Sequence, residues 1–502
     1  MRNVQPNEIV LKFLKKSMLP IKENSVRVLF ARVSILLICA LAVSAPPAHG
    51  QSSTLTSVPS FVLAASDAPH NVDSSSETPA PNPSLAAGAS QNLPAAGAGQ
   101  APPPASGAGQ TPPPTAGTGP DQSVLANIGS HLKIFGTIRL DVIYNTARPQ
   151  GPALPAFLVP RFVGGFSQNT IAINARNSTI GVLFTGPEVG KFHSGAKVSA
   201  VFFDNTNVFA DNNGFMLTQA YGELFNDDWR FAAGLQLDVF APNLPTVLPF
   251  SADGAPVGNT IKGQIRLERF LSAGSDSQWT FQSAISEPLN SIKTPDVSLD
   301  EDNGWPNVEG RVAFGGGKPA PIGIGLLTQR PVEIGVSGLI GQLRRTSLPS
   351  DPSPRRVVSD VWGVNLDFRV NLASRYGFKG EVYTGQGLGQ SAGAILQSLD
   401  AVTWNPIAST GGWVEGFVYL KPNVHVHTGI MMDKPDANDI TAIPNTLFGR
   451  TYNRTVYSTL LWEFGKSFRI GVEPTWRKTE YKEPTNLPND GFGLQTQFAW
   501  TF

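Results

Sequence analysis

The sequence has few of the features that mark several common protein classes. It contains a single cysteine, Cys39, so no disulfide can form within the chain. Lys plus Arg and Asp plus Glu both number 38, and no basic stripe stands out, which argues against a nucleic-acid partner. The one apolar helix candidate, Val33 to Ala45, is too short to cross a bilayer. A disulfide-stabilised domain, a nucleic-acid-binding protein and a helical membrane protein are therefore all disfavoured.

Residues 1–50 have the order of an export signal. Basic residues precede the apolar run, and Ala48-His-Gly50 follows it. This order predicts a secretory signal peptide with cleavage near Gly50. The stretch before the apolar run is long for such a signal, and the sequence does not decide between Met1 and Met18 as the start of translation.

Residues 51–130 show neither the period of a strand nor that of a helix. The stretch from Pro79 to Pro120 consists mainly of Pro, Ala, Gly and Ser, with a near-repeat that begins at Gly97 and again at Gly107. Such a composition buries too little apolar surface to offset the entropy lost on ordering. We predict a disordered periplasmic linker, partly polyproline II, for which contact with the cell wall is an alternative role.

From residue 131 to 502, apolar and polar side chains alternate in segments of about ten to fourteen residues. In the last segment the residues on one face are Phe492, Leu494, Phe498, Trp500 and Phe502, while Gln495 and Gln497 belong to the other. Ionised side chains on the polar face of other segments would be costly in a small soluble core. In a membrane barrel that face lines water and the apolar face meets lipid. The pattern predicts an all-β fold, an antiparallel 16-stranded transmembrane β-barrel over 131–502.

The predicted strands lie at 133–145, 170–185, 195–204, 215–225, 229–240, 260–270, 278–287, 306–314, 332–345, 357–370, 376–385, 411–420, 423–433, 453–464, 468–481 and 491–502. Their number is even, as in single-chain bacterial barrels. The apolar parity of the second strand changes between Ala175 and Ile180, which predicts a bulge or a bend there. In the fifth and sixth strands, Val239 and Ile261 are assigned to the outward, apolar face.

The connections between these strands alternate in length. Short ones, such as 226–228, 421–422 and 465–467, suit periplasmic turns, although 315–331 is longer than such a turn should be. Long ones, which suit outer loops, lie at 146–169, 241–259, 288–305, 386–410 and 434–452. Tryptophans fall at the periplasmic strand ends, as in an interfacial aromatic girdle, at positions Trp229, Trp279, Trp462 and Trp500.

Charged residues at inward positions are the candidates for the pore lining. They are Arg139, Asp141, Arg176, Arg230, Asp238, Lys262, Arg266, Glu268, Asp367, Arg369, Glu381, Arg469, Glu473 and Arg477. Both signs occur, so we expect a transverse field across the channel rather than a uniformly basic funnel. The proline-containing loop 241–259 is the candidate for an inward-folded constriction.

Two short motifs could indicate other chemistry. The stretch Gly389-Gln-Ser-Ala-Gly393 fits the G-x-S-x-G pattern of hydrolases, but it lies in a Gly-rich loop rather than at a strand-to-helix elbow. His425 and His427 share the inward face of one strand, a spacing that could bind a metal, with Asp433 further along. The simpler interpretation is a loop serine and two polar residues facing the lumen. We therefore expect no enzymatic activity, no metal and no cofactor.

Several segments of the barrel resemble the DcaP-like porins, a family of trimeric outer-membrane channels with sixteen strands. The segments are Lys133–Tyr144, Ala175–Gly181, Ala220–Glu223, Gly429–Asp436, Asn453–Arg454 and Arg477–Tyr481, in the same order. The resemblance covers roughly residues 131–502 and implies a homotrimer and anionic or dicarboxylate solutes. Members can carry an N-terminal periplasmic coiled coil, whereas this chain has a Pro/Gly tract in that region, and barrel-to-barrel contact could suffice to hold the trimer.

These observations predict an outer-membrane porin of a Gram-negative cell, through which small hydrophilic solutes diffuse passively. The alternatives are a substrate-specific channel of the phosphate type and a barrel that mainly anchors the outer membrane. The expected partners are the outer-membrane lipid bilayer, small solutes, further copies of the chain, and the barrel-insertion machinery, which would read the terminal Phe502.

Overall fold

The computed structural model describes residues 131–151, 155–161, 168–203, 214–249, 257–258, 260–288, 304–318, 320–321, 328–347, 355–444, 446–465, 467–482 and 487–502. The predicted signal peptide, 1–50, and linker, 51–130, lie outside the described residues, as do 250–256 and 259 of the predicted constriction loop. Within the described ranges, no helix is long and apolar enough to cross a membrane.

Sixteen antiparallel strands form one closed barrel, as the alternation predicted. They are β1 (Leu132–Asn145), β2 in two pieces (Thr170–Asn174 and Thr179–Thr185), β3 (His193–Val201), β4 (Met216–Phe225), β5 (Trp229–Leu237), β6 (Ile261–Ser272), β7 (Gln278–Ser286), β8 (Asn307–Gly316), β9 (Val332–Thr346), β10 (Arg356–Ala373), β11 (Tyr376–Gln386), β12 (Ala408–Lys421), β13 (Val424–Pro435), β14 (Arg450–Phe464), β15 (Phe468–Tyr481) and β16 (Asn489–Thr501). Short 3-10 helices lie at Leu388–Ser391 and Ala437–Asp439.

The barrel closes between the first strand and the last. β1 pairs with β16 from Thr137 opposite Thr501 to Asn145 opposite Gly493. The Phe502 N–H donates to the Gly136 carbonyl at 3.0 Å, and the Gly136 N–H donates back at 3.1 Å. A side chain at position 136 would collide with the Phe502 ring, so glycine is required there. The terminal phenylalanine is thus part of the seam that closes the barrel.

The predicted bend in the second strand is confirmed. β2 is interrupted by a turn in which the Ser178 N–H donates to the Ala175 carbonyl at 3.0 Å, and both pieces still pair with β1. The Ser178 hydroxyl oxygen accepts from the Arg139 N–H at 2.9 Å, which replaces the backbone partner that the turn removes.

The outward face of the strands is apolar, and the inward face is polar and charged. On β1, the outward residue Ile138 is 56% exposed and the inward residue Asp141 is buried; on β16, the outward residue Phe498 is 48% exposed and the inward residue Gln497 is buried. Trp229, Trp279, Trp462 and Trp500 are all exposed near the periplasmic strand ends. An apolar belt with an aromatic rim is the surface that a transmembrane barrel presents to lipid.

Two residues depart from the predicted alternation. Val239 and Ile261 were assigned to the outward face, yet their exposed fractions are 1% and 0%. β5 ends at Leu237, and the chain then turns into the barrel, so Val239 no longer follows the strand parity. Ile261 opens β6 at the point where the chain leaves the interior. The assignment of both residues was therefore wrong because the strand period was extended past the strand ends.

The connections alternate between short and long around the barrel. On the periplasmic side most are short, and the longer connection between β8 and β9 contains a small hairpin, Ala320–Pro321 paired with Thr328–Gln329. The opposite end carries long connections, including 238–260 between β5 and β6 and 387–407 between β11 and β12. Parts of these two connections fold into the interior of the barrel.

Candidate functional site

The first half of the connection between β5 and β6, residues 238–249, runs inside the barrel, and we call it the inner loop. Phe240 and Ala241 are fully buried there, against Leu339 and Leu343 of β9. Further along, Leu244 and Val247 pack on Trp413, Met431 and Tyr457 of the wall. The prolines at 242, 245 and 249 have no backbone N–H, so fewer backbone groups of the loop need a hydrogen-bond acceptor.

Buried carboxylates of the wall accept five of the backbone N–H groups of the inner loop. Glu309 on β8 accepts from Val239 at 2.7 Å and from Phe240 at 3.2 Å. Glu381 on β11 accepts from Asn243 at 2.7 Å. A buried backbone N–H without an acceptor would be costly, and these carboxyl oxygens supply one for each N–H.

The same arrangement continues around the wall. Glu415 on β12 accepts from the Thr246 N–H at 2.5 Å, and Glu473 on β15 accepts from the Leu248 N–H at 2.8 Å. We call Glu309, Glu381, Glu415 and Glu473 the four anchor carboxylates. Together they hold the inner loop against the wall from β8 to β15.

Wall side chains also donate to the carbonyl groups of the inner loop. Lys379 Nζ donates to the Leu244 carbonyl at 2.9 Å, and Thr459 Oγ1 donates to the Thr246 carbonyl at 2.9 Å. The Arg139 guanidinium donates to the Leu248 carbonyl. Wall side chains thus bond both N–H and carbonyl groups of the inner loop, which fixes its path along the wall.

We call the connection between β11 and β12, residues 387–407, the cap loop; its residues 388–400 are buried inside the barrel, whereas Val402 is 51% exposed. Ala392, Ala394, Ile395 and Leu396 adopt positive φ angles of 49–63°, which are strained for residues other than glycine. The Ala394 N–H donates to Tyr383 Oη at 3.1 Å and the Ile395 N–H to Asp433 Oδ2 at 2.7 Å. These bonds to the wall hold the strained backbone in place.

The cap loop is joined to the neighbouring outer loop through Asp400. Its carboxylate accepts from the N–H groups of Thr403 and Thr441, both at 2.7 Å. Burial alone would raise the pKa of Asp400, but the hydrogen bonds from Thr403 and Thr441 outweigh it and hold the pKa below its ordinary value. Asp400 therefore stays ionised at neutral pH and links the two loops.

The hydrolase-like motif lies in the cap loop and serves packing. Ser391 ends the 3-10 helix Leu388–Ser391 and is buried, and its Oγ accepts from Lys262 Nζ at 3.1 Å. Lys262 also lies 3.6 Å from Asp238 and 3.7 Å from Glu309, with no exposed surface. This buried cluster fastens the cap loop to β6, β8 and the start of the inner loop.

The two histidines of β13 are part of a hydrogen-bonded chain along the inner wall. His425 Nδ1 lies 2.8 Å from His427 Nε2, and His427 Nδ1 lies 2.7 Å from Glu415. Asp433 instead binds Tyr383 and the cap loop. Among the described residues, no group of three or more His, Cys, Asp or Glu side chains is arranged to hold a metal ion.

Below the inner loop, charged side chains form ion pairs around the wall. Arg230 bonds Glu223 at 2.6 Å and Glu268 at 3.2 Å, and Arg311 bonds Asp367 at 2.5 Å. Arg369 and Lys379 continue the series on β10 and β11, next to Glu333 and Glu415. Exposure to solvent does not favour one sign of charge. Lys379 is 17% exposed beside Glu415 at 0%, but Arg369 is 18% exposed beside Glu333 at 32%, and Arg230 is 14% exposed beside Glu223 at 19%.

The predicted lining residues fall into two groups by exposure. Arg230, Arg266, Arg369 and Arg469 keep part of their side chains exposed to solvent. The buried ones are Arg139, Asp141, Arg176, Asp238, Lys262, Glu268, Asp367, Glu381, Glu473 and Arg477. Arg176 lies in the turn that interrupts β2, and Asp238 directly follows β5. Sequence reasoning missed Glu309, Arg311, Lys379 and Glu415, although their inward positions in the alternation could have indicated them.

Comparisons with known proteins bear on the fold. No family sequence model matches the chain, and no curated protein sequence matches it. The outer-membrane channel DcaP of Acinetobacter baumannii is similar in structure, with a TM-score of 0.52 and 15% identity over 73% of this chain and 96% of that one. An anion-selective porin from Comamonas acidovorans has a TM-score of 0.45 and 10% identity, over 74% and 99% of the two chains. OprB of Pseudomonas putida has a TM-score of 0.42 and 8% identity, over 75% and 96%.

The likeness to the DcaP channel confirms the resemblance at the level of the fold. The apolar outward belt and the polar interior are those of a barrel that spans a membrane. The chain is an outer-membrane β-barrel with the fold of the DcaP channel.

Proposed function

We propose that the chain is a porin, a water-filled channel for passive diffusion of small hydrophilic solutes. The observation that carries this proposal is the inner loop, which the four anchor carboxylates hold flat against the wall. In this proposal the inner loop narrows the barrel, and the cross-section that the inner loop and the cap loop leave is open to solvent. Selectivity then follows from the size of the remaining opening and from the charges beside it.

Charges of both signs border the opening. Arg230, Arg266, Arg369 and Lys379 are each 12–18% exposed, and the acids Glu223 and Glu333 beside them are 19% and 32% exposed. These exposed charges act on passing solutes as a transverse field, and the preference for anions rests on the family resemblance. The resemblance to the DcaP-like porins makes dicarboxylates the solute class to test first.

We propose different roles for the two groups of predicted lining residues. Arg230, Arg266, Arg369 and Arg469 contact the solute path and tune its ion preference. Buried members such as Asp141 and Glu473 fix the wall and the loops, and affect solutes only through the shape of the opening.

The proposed assembly is a homotrimer formed through the barrel wall. β3, β4 and β5 have 9, 10 and 9 residues, whereas β9 and β10 have 15 and 18. Near this short wall, Ile171, Ile173 and Phe215 are 60–70% exposed. Short strands with exposed apolar side chains are better suited to packing against another barrel than to spanning the whole thickness of a bilayer. The signal peptide, the linker and recognition of Phe502 by the insertion machinery remain predictions from the sequence.

Solute uptake by liposomes tests the proposal. The purified, folded protein is reconstituted, and swelling rates are measured for sugars of increasing size and for a dicarboxylate and a diamine of equal length. We expect swelling that declines with sugar size, and faster entry of the dicarboxylate than of the diamine. A folded, inserted barrel that gives no swelling would contradict the porin and favour an anchoring role. Saturable uptake of phosphate alone would favour the phosphate-specific channel.

A further inference from the structure

Three basic residues stand on the outward, membrane-facing side of three adjacent strands: Lys434 on β13, Arg454 on β14 and Lys478 on β15. Met432, two residues before Lys434 on β13, is 44% exposed, so this face of β13 points outward. Residues directly opposite each other on paired strands share a face, which places Arg454 and Lys478 on the outward side as well. Arg454 lies opposite Met432 on one side and opposite Lys478 on the other. The outward face of a transmembrane barrel strand is usually apolar, so three cations on this face are unusual.

Their height on the barrel corresponds to the outer edge of the membrane. Lys434 is one residue from the end of β13, and Lys478 is three from the end of β15, at the end of the barrel that carries the long loops. Arg454 stands 4.7 Å over the ring of Trp476, which faces the same way. Tryptophan at this level marks the boundary between hydrocarbon and headgroups. The three cations therefore lie among the headgroups of the outer leaflet.

The pairing of these cations is unfavourable unless an anion joins them. Arg454 and Lys478 are directly opposite each other on neighbouring strands, where like charges destabilise a sheet. Nearby acids compensate only in part. Glu480 bonds Lys478 at 2.5 Å, and Asp490, which lies directly opposite Lys478 on β16, is also 3.6 Å from a further cation, Arg161. Arg454 Nε is buried and, within the part of the chain that the structure describes, has no hydrogen-bond acceptor, so the guanidinium is only partly paired.

We propose that Lys434, Arg454 and Lys478 form a binding site for the phosphate of an outer-leaflet lipid headgroup. A guanidinium binds phosphate oxygens through two parallel hydrogen bonds, and flanking ammonium groups add charge without demanding geometry. The lipid chains would then lie along the apolar face below, beside Met432 and Phe492, which are both exposed. Basic clusters at the membrane surface attract anionic headgroups in this way.

Lipid binding to purified protein in detergent tests this site, with lipid A as the phosphorylated glycolipid probe and native mass spectrometry as the readout. We expect the variant K434Q/R454Q/K478Q to bind lipid A at least tenfold more weakly than the wild type. The variant R454K, which keeps the charge but loses the two-pronged geometry, should show an intermediate loss. Dephosphorylated lipid A should bind the wild type as weakly as the triple variant binds lipid A.

Arg269 provides the matched control. It also faces outward and stands 4.7 Å over a tryptophan, Trp229, but at the periplasmic end of the barrel. R269Q should bind lipid A like the wild type. Equal binding by the wild type and the folded triple variant would overturn the proposal, as would an equal loss in R269Q. Competition by millimolar inorganic phosphate alone would also overturn it, since the site would then be one for free anions.

Discussion

The backbone N–H of Leu248 donates a 2.8 Å hydrogen bond to Glu473, a residue 225 positions later in the chain. Glu473 also lies 2.6 Å from Thr459 Oγ1, whose one proton is shared between Glu473 and the Thr246 carbonyl, so its carboxylate joins β14, β15 and the inner loop. This contact fixes the far end of the loop that narrows the barrel. The position of the loop therefore depends on residues distributed over half of the wall.

Removing this anchor should loosen the inner loop. In E473A the Leu248 N–H loses its acceptor, at a cost of about 1–3 kcal/mol for a buried donor. We expect larger current fluctuations and a higher mean conductance in single-channel recordings, with unchanged folding of the barrel. E473Q keeps an acceptor oxygen and should deviate less. Identical, quiet traces from E473A and the wild type would mean that the loop is held without Glu473.

The two faces of β1 should respond oppositely to charge. Ile138 faces outward and is 56% exposed, so I138R places a charge against lipid at a cost of about 2–4 kcal/mol near the membrane centre. Thr137 faces inward, and T137R should be tolerated. The fraction of heat-modifiable folded barrel after refolding measures both. An equal loss of folded barrel in the two variants would mean that the inward and outward faces of β1 are wrongly assigned.

The alternation predicted the strands because lipid outside and water inside impose a period of two on every spanning segment. It could not predict the path of the loops. Thr246 reaches Glu415 across 169 positions, and no local pattern encodes such a contact. The same limit explains Lys262, which looked like a lining residue by parity but is covered by the cap loop through Ser391. Inward parity identified the residues that face the interior, and only the loop packing decides which of them reach solvent.

Phe502 should be needed for insertion as well as for closure. Deleting it removes two backbone hydrogen bonds to Gly136 and the ring that packs on it. We expect the deletion variant to be exported but poorly inserted, as measured by its folded fraction in outer-membrane extracts. F502Y keeps the ring and should insert normally. Full insertion of the deletion variant would remove the proposed role of the terminal aromatic residue.

Arg266 and Lys262 lie on one strand but should behave differently. Arg266 is partly exposed beside Glu268, so R266Q should shift the reversal potential in a salt gradient toward cations. The shift should shrink as salt rises, because exposed charges are screened. K262Q leaves Asp238 and Glu309 without their buried cation, and breaking such a pair costs about 3–5 kcal/mol. We expect a lower thermal midpoint without a matching change in ion preference. A selectivity shift in K262Q alone would place the narrowest point at Lys262.

The most direct test of the porin is the conductance of the purified, folded protein in a planar lipid bilayer. An open channel narrowed by the inner loop should give stepwise current increases on insertion, with a conductance that rises with salt concentration and a reversal potential that favours anions at low salt. A barrel that inserts in its folded form and yet passes no current would contradict the account.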